Sequence, residues 1–286
     1  MELPLFIIEK TVHTALEEDL GHGLDVTSGS LLASGAQARC TIRARTDGIL
    51  CGQAAALLAF ALCTPNLTVD TQIADGTALR AGQTIATISG AASGLLAAER
   101  VALNFLMHLS GVASLTRKYV EAIRHTHATI CDTRKTLPGL RALEKYAVRT
   151  GGGQNHRFGL DDAVLIKDNH IAIAGGIENA LKNVNARTGH MVRVEIEVDS
   201  LAQLDEVLAF QKKNGGVDVV LFDNFPQPDL KKAVKAVDGA LVTEASGGVT
   251  LETVKDIAET GVDYISVGSL THSAPALDIG LDFETA

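Results

Sequence analysis

Between Arg149 and Arg157 the chain reads RTGGGQNHR, three consecutive glycines followed by amides, a histidine and an arginine. Glycine bends most easily and is the costliest residue to order, so this run suggests a bend that serves the polar side chains after it. One glycine would stop a helix ending near Thr150. Three permit close backbone approach and let Asn155, His156 and Arg157 turn inward. The region is also rich in cations: Arg134, Lys135, Arg141, Lys145, Arg149 and Arg157 face one acid, Glu144, and Lys167 follows. In a chain of net charge −9, such a local excess asks for an anion. Arg141, Lys145 and Arg149 fit a solvated helix face, as most charges do. Arg134 and Lys135 instead end an apolar run just before a Thr-Leu-Pro-Gly turn, where both can lean into one pocket. The planar fork of arginine suits carboxylate or phosphate.

Acids complement these cations. Glu195 and Glu197 alternate with Ile196 and therefore point to one side of a strand, where a carboxylate facing a packed interior needs a partner. Glu197 lies nearer the strand end, and Asp223 ends the next apolar run. Two carboxylates beside a polyanion suit Mg2+, ribose hydroxyls or a developing cation; a salt-bridged core pair is the structural alternative. Two small-residue loops follow, EASGGVT at 244–250 and SVGSLTHS at 266–273. They place Ser246, Gly247 and Gly248, then Gly268, Ser269 and His272, where barrel enzymes hold a phosphate. Neither is a Walker loop, and no GxGxxG follows a strand.

The elements that must position these groups change character near residue 125. Before it, a helical stretch from Phe6 to Asp19 leads into alternating segments at 40–46, 67–73 and 84–89, separated by turn signals. The helical run GLLAAERVALNFLMHLSG follows, with Leu95, Leu96, Leu103, Leu106 and Leu109 close to helix period, and then a second helix over Val112 to His125. ADGTALRAGQTIATISG looks like a biotinyl carrier hammerhead, but no lysine lies between Lys10 and Lys118 to be modified. After residue 125, apolar runs at 128–132, 163–167, 192–198, 218–223, 240–246 and 264–269 alternate with amphipathic stretches at 177–186, 201–212, 229–237 and 251–259. Ser200 and Thr250 are the expected N-caps and Gly261 a stop. Strand–helix alternation implies a parallel sheet. Polar residues end six of the runs, which favours a barrel over an open sheet with one switch point. One or two barrel strands stay unplaced.

The 286 residues fit one large domain or a large and a small one, with 46% hydrophobic residues to form a core. An acidic chain is a poor nucleic-acid binder. No apolar run approaches the ~20 residues of a membrane span, and MELPLFIIEK lacks the basic start of a signal peptide. The widely spaced Cys40, Cys51, Cys63 and Cys131 contain no CxxC and suit a reducing, cytoplasmic setting.

Taken in order, EDLGHGLDVTS near the start, ERVALNFLMHLSGVAS at 99–114, DTRKTLPGLRALEKYAV at 132–148, GGGQNHRFGL at 151–160, AVLIKDNHI at 163–171, VEIEVDS, LFDNF, ASGGV and SVGSLTHS cover nearly the whole chain. This set resembles the quinolinate phosphoribosyltransferases, the decarboxylating nicotinate-nucleotide pyrophosphorylases. Thr150, Gln154 and Phe222 depart from the pattern, and QKKNGG near 211–216 looks like a longer connection; none touches an assigned charge. The resemblance implies an α/β protein, with an N-terminal α/β sandwich domain over residues 1–110 and the incomplete (β/α) barrel of a type II phosphoribosyltransferase over 111–286. It implies a homodimer at least, with Arg100 reaching the partner's site. It carries Arg134, His156, Arg157 and Lys167 onto the two carboxylates of quinolinate. Lys135, Glu197 and Asp223 fall on positions that handle phosphoribosyl pyrophosphate and Mg2+. Ser246, Gly247, Gly248, Gly268, Ser269 and His272 fall in the 5′-phosphate loops.

The implied chemistry is attack of the ring nitrogen on ribose C1 as pyrophosphate leaves, then loss of the adjacent carboxylate as CO2. The quaternised nitrogen is the electron sink, so no pyridoxal or thiamin cofactor is needed, and Lys167 is the candidate donor to the carbanion. The rivals are a paralogous phosphoribosyltransferase for another acid, including the molybdenum-operon relatives, a Schiff-base aldolase using Lys167, and a non-catalytic phosphosugar-binding module.

Overall fold

Residues that alternate between apolar and polar form strands, and those repeating every three to four form helices; the computed structural model of the chain realises both patterns. It describes residues 3–21 and 25–284, with backbone alone at Thr71 and Gln72. His22, Gly23 and Leu24 of the EDLGHGLDVTS motif lie outside the described residues. The elements run α1 (Leu5–Leu20), α2 (Val26–Leu31), β1 (Gln37–Ala44), β2 (Gly48–Ile49), α3 (Gln53–Cys63), β3 (Thr68–Gln72), β4 (Ala78–Leu79), β5 (Thr84–Ala91) and α4 (Ala92–Ile123). Then come β6 (Thr129–Cys131), α5 (Arg141–Gly151), β7 (Val164–Ile166), α6 (Asp168–Ala174), α7 (Ile177–Asn185), β8 (Val194–Val198), α8 (Leu201–Asn214) and β9 (Val219–Asp223). The chain finishes with α9 (Gln227–Val237), β10 (Val242–Ser246), α10 (Val254–Ala258), β11 (Tyr264–Ser266), α11 (Ser269–His272) and β12 (Ile279–Phe283).

The chain divides into two compact units that interleave: residues 1–117, 136–152 and 269–286 form one, and 118–135 with 153–268 form the other. This differs from a single break after residue 110. The tail expected in the barrel instead supplies β12, which pairs antiparallel with β1 (Cys40 opposite Phe283). Nothing local announces a pairing across so many residues.

The first unit is built on an antiparallel sheet in the order β12-β1-β5-β3. Cys40, Ile42 and Ala44 on β1 and Ala86 and Ile88 on β5 face its core. The opposite face carries solvent-screened cross-strand pairs such as Arg39–Asp70 and Arg43–Asp282, which add little to stability. α1 buries Ile8, Val12 and Leu16 on one stripe. α4 is one continuous helix where two were expected. Gly111 does not break it, because it is needed for contact: a Cβ there would lie 2.2 Å from the Pro275 carbonyl oxygen. α4 is also long and apolar enough, by length and composition, to cross a membrane, yet 61% of its most apolar window is buried in the protein. Leu95, Leu103, Leu106 and Leu109 are sealed inside, whereas Leu96 is exposed. On α5, Lys145 is buried along with Leu143, Glu144, Ala147 and Val148, against the solvated face expected for it; Arg149 is exposed.

The second unit is a parallel sheet in the order β6-β11-β10-β9-β8-β7. β6 and β7 do not pair, so the barrel is incomplete. Gln154 makes a single-residue parallel bridge to Cys131 on the free side of β6, the one trace of a further strand among the described residues. Ile196, Val198, Val220, Phe222, Ala245 and Ile265 are buried on the face covered by helices. Their neighbours Glu195, Glu197, Asp223, Glu244 and Ser266 alternate to the other side. α10 starts at Val254 rather than at Leu251, after a turn in which Thr250 N–H donates to Thr253 Oγ1 at 3.0 Å.

Candidate active site

All six strands of the second unit end at one cavity of about 580 Å³, lined among others by Arg134, Arg157, Lys167, Glu197, Asp223 and Ser246. A larger cavity of about 680 Å³ lies in the first unit, but Leu5, Ile8, Leu109 and Leu143 dominate its wall. Its carboxylate, Asp75, is consumed by the Gly52 and Gln53 N–H groups at 2.9 and 3.2 Å and by Tyr146 O–H at 2.9 Å. The convergence of charge belongs to the barrel cavity.

The bend at 151–157 has a specific anchor. Asp132, fully buried after β6, accepts from Asn155 Nδ2 at 2.6 Å and from the His156 N–H at 2.9 Å. Gly152, at φ +100°, closes α5 in the left-handed conformation that favours glycine. Asp132 thus fixes where His156 and Arg157 point, a role the sequence hinted at only by placing an acid at a strand end.

Arg157 is half-buried, and Nη1 donates to the Ala163 carbonyl at 3.0 Å. Burial, and then the charge of Arg134, pull its pKa below the usual arginine value. Two guanidiniums this close repel each other until an anion lies between them. Lys167 is held differently. Its backbone N–H donates to His170 Nδ1 at 2.9 Å, and its Nζ lies 2.9 Å from Glu197 Oε2. An ammonium resting on a carboxylate and 47% exposed is not the desolvated amine an imine-forming enzyme needs. Lys135 and Thr133 also line the cavity, and the Lys135 N–H donates to Thr133 Oγ1 at 3.0 Å.

His156 sits on the floor. Nε2 is 3.0 Å from Glu195 Oε2 and 3.6 Å from Glu244 Oε1, while Nδ1 accepts the Arg157 N–H at 2.8 Å. Both ring nitrogens therefore face protein groups. The partner required for an inward Glu195 is His156. Glu244 was legible only as a strand-end acid; its place two residues before Ser246, on the inward side, is the signal that singles it out.

On the phosphate side, Ser246, Gly247 and Gly248 line the cavity. The Asn224 N–H donates to the Ser246 carbonyl at 2.9 Å, and Asn224 Nδ2 donates to Asp223 Oδ2 at 2.8 Å. Asn224 takes φ +55°, a left-handed conformation that asparagine tolerates. Gly247 has φ +94°, and a Cβ there would fall 2.2 Å from Asn224 Oδ1; Gly248 has φ +58° with nothing within 4 Å. Gly247→Ala should therefore destabilise well beyond the ~1–2 kcal/mol of left-handed strain, and Gly248→Ala by about that strain alone. Thermal unfolding of the pair checks this. Gly268, Ser269 and His272 are not among the residues lining this cavity. Ser269 and His272 belong to α11 in the first unit, where His272 Nδ1 lies 2.6 Å from Ser273 Oγ. Arg100 is exposed on the first unit's part of α4.

Comparison with known proteins decides the family. A model described as the quinolinate phosphoribosyl transferase C-terminal domain matches residues 112–282, and the corresponding N-terminal domain model matches 25–110. The chain belongs to the quinolinate phosphoribosyltransferase family. Among its relatives, the probable nicotinate-nucleotide pyrophosphorylase [carboxylating] of Bacillus subtilis is 44% identical, over 96% of this chain and 93% of that protein. The nicotinate-nucleotide pyrophosphorylase [carboxylating] of Mycobacterium leprae is 46% identical, over 95% of each. The solved structure of the nicotinate-nucleotide pyrophosphorylase from Francisella tularensis superposes with a TM-score of 0.92 at 37% identity, over 99% of this chain and 98% of that one. This family's fold, sandwich plus incomplete barrel, is the one described above.

Proposed function

We propose that the chain transfers the phosphoribosyl group of phosphoribosyl pyrophosphate to quinolinate with loss of CO2, giving nicotinate mononucleotide and pyrophosphate. The names "carboxylating" and "decarboxylating" carried by its relatives describe this reaction from its two ends. The observation that supports the reading most is the placement of Arg134 and Arg157 beside Lys167 in one cavity that also holds Glu197 and Asp223. Quinolinate carries two adjacent carboxylates, so it needs several cations in a small volume, and a bidentate arginine supplies strong hydrogen bonds to each. Nicotinate lacks the 2-carboxylate and would leave part of that charge unmatched. Steady-state assays with Mg2+ should show pyrophosphate release with quinolinate and at least about 100-fold less with nicotinate, the discrimination expected when buried charge is left unpaired. Equal rates would sink the reading.

In the mechanism, Arg134, Arg157 and Lys167 orient the ring so that its nitrogen faces ribose C1. The transition state gains oxocarbenium character, which the carboxylates of Glu197 and Asp223 stabilise. Ser246, Gly247 and Gly248 bind the 5′-phosphate, with Gly268, Ser269 and His272 assigned to the same task by family pattern. Lys135 offsets charge on the departing pyrophosphate. The oxygen donors of Glu197 and Asp223 fit Mg2+, which would be held through a few protein oxygens plus the substrate's phosphates and would neutralise developing charge there. Once the nitrogen is quaternised, its positive charge stabilises the electron pair that departing CO2 leaves on the adjacent ring carbon.

We assign the active form to a homodimer in which Arg100 enters the partner's pocket. Leu96, Arg100 and Asn104 make an exposed stripe at i, i+4 and i+8 on α4, with an apolar residue beside the arginine. Mixing inactive Arg100→Ala and Arg157→Ala proteins tests this. If Arg100 acts across the interface, each mixed dimer regains one intact site, and random mixing of a symmetric dimer restores about one quarter of wild-type activity. No recovery would place Arg100 elsewhere. Free Cys40, Cys51, Cys63 and Cys131 support a cytoplasmic setting.

A further inference from the structure

The pocket floor carries an acid that the transfer step does not use. Beneath the main cavity lies a second one of about 230 Å³, reached from the opposite ends of the strands and lined by Arg193, Val219, Val242 and Tyr264. Of the carboxylates lining either cavity, Glu244 alone lines both. Its side chain is almost wholly buried, and among the described residues Oε1 has no hydrogen-bond partner.

The groups around it are Glu195 from β8, Tyr264 and Ser266 from β11, and Asp132, His156 and Arg157 from the segments after β6. β9 offers only Leu221 at the paired position. His156 uses Nε2 on Glu195 and Nδ1 on a backbone N–H, and an arginine does not release its proton. Lys167 is engaged by Glu197 and lines only the upper cavity. We propose that Glu244 is the proton donor that completes the reaction, protonating the ring carbon that CO2 leaves and being refilled from the cavity beneath. This rests on the proposed phosphoribosyl transfer to quinolinate.

The step balances. In the quinolinate nucleotide the bond from ring C2 to its carboxylate breaks, CO2 departs and the electron pair stays on C2 beside the positive nitrogen. That pair takes the proton of the Glu244 carboxyl, forming the C2–H bond, and the Glu244 carboxylate regains a proton from water. Burial, and then the charge of Glu195, push the Glu244 pKa up to about 7, against the opposing charge of His156 and the hydrogen bond to Ser266. The acid is therefore loaded near neutral pH, where a general acid is most effective.

Between pH 4.5, the ordinary value of the Glu244 carboxyl, and about 7, the folded chain holds a proton that the unfolded chain has released. Stability falls as pH rises through this window and is level above it. Glu244→Gln removes that loss, so its gain in melting temperature over wild type should be larger at pH 8 than at pH 5.

Single-turnover experiments with the full chain, quinolinate, phosphoribosyl pyrophosphate and Mg2+ test the proposal. In wild type, nicotinate mononucleotide formation should slow relative to pyrophosphate release as pH rises through 7. In Glu244→Gln the ratio of the two rates should drop by about 100-fold or more, the range of a lost general acid, and its pH dependence should vanish. A ratio within about threefold of wild type, or the same pH dependence in the variant, overturns the proposal and makes solvent or Lys167 the donor. Absence of pyrophosphate from wild type with quinolinate is a different failure, that of the transfer reading itself, and takes the proposal with it.

Discussion

Replacing Arg157 with alanine should raise the quinolinate KM or lower kcat/KM by about 100- to 1,000-fold, the scale of removing one member of a buried, hydrogen-bonded charge pair. The fold should hardly notice. Among the described residues the Arg157 side chain gives the protein one hydrogen bond, to the Ala163 carbonyl, which contributes about 1 kcal/mol. Its removal also relieves the repulsion from Arg134 that helps lower its pKa. Steady-state kinetics and thermal unfolding on one preparation separate the two. A variant that keeps wild-type KM, or that melts far below wild type, would show that Arg157 supports the structure rather than the substrate.

Asp132→Ala should behave in the opposite way, losing stability and activity together. This buried carboxylate holds Asn155 Nδ2 and the His156 N–H, and hydrogen bonds to a charged acceptor contribute about 1.5–3 kcal/mol each. A loss of about 3 kcal/mol or more would lower the melting temperature by about 5–10 °C. The catalytic loss should exceed that of the unfolded fraction, because the bend that aims Arg157 is released. Circular dichroism melts with kinetics at low temperature check this. Wild-type kinetics in a destabilised variant would mean that the bend holds itself without Asp132.

The contrast between these residues marks what the sequence makes legible. The six parallel strands were readable because each apolar run ends in polar residues and amphipathic stretches lie between several of them. The cation cluster, Glu197, Asp223 and the Ser246–Gly248 loop were readable as types at strand ends. Glu195 was readable as an inward carboxylate in need of a partner, but not that His156 supplies it. α3 was missed because QAAALLAFALC is apolar nearly all round and shows no period. The pairing of β12 with β1 and the Gln154 bridge depend on partners distant in sequence, which local pattern does not encode. Gly111 reads as a helix break until the Pro275 carbonyl is seen packed against it. Glu244 and Asp132 act from beneath the pocket, where their burial, rather than their type, gives them a role.

Isotope stoichiometry tests decarboxylating transfer directly. Purified protein would be given Mg2+, phosphoribosyl pyrophosphate and quinolinate labelled with 13C in the 2-carboxylate, and labelled CO2, pyrophosphate and nicotinate mononucleotide would be followed together. For decarboxylating transfer, equal amounts of all three are expected at every time point of steady turnover, with none formed when either substrate is withheld. Pyrophosphate without labelled CO2, or label retained in the nucleotide product, would contradict it and point to a phosphoribosyltransferase for a different acid.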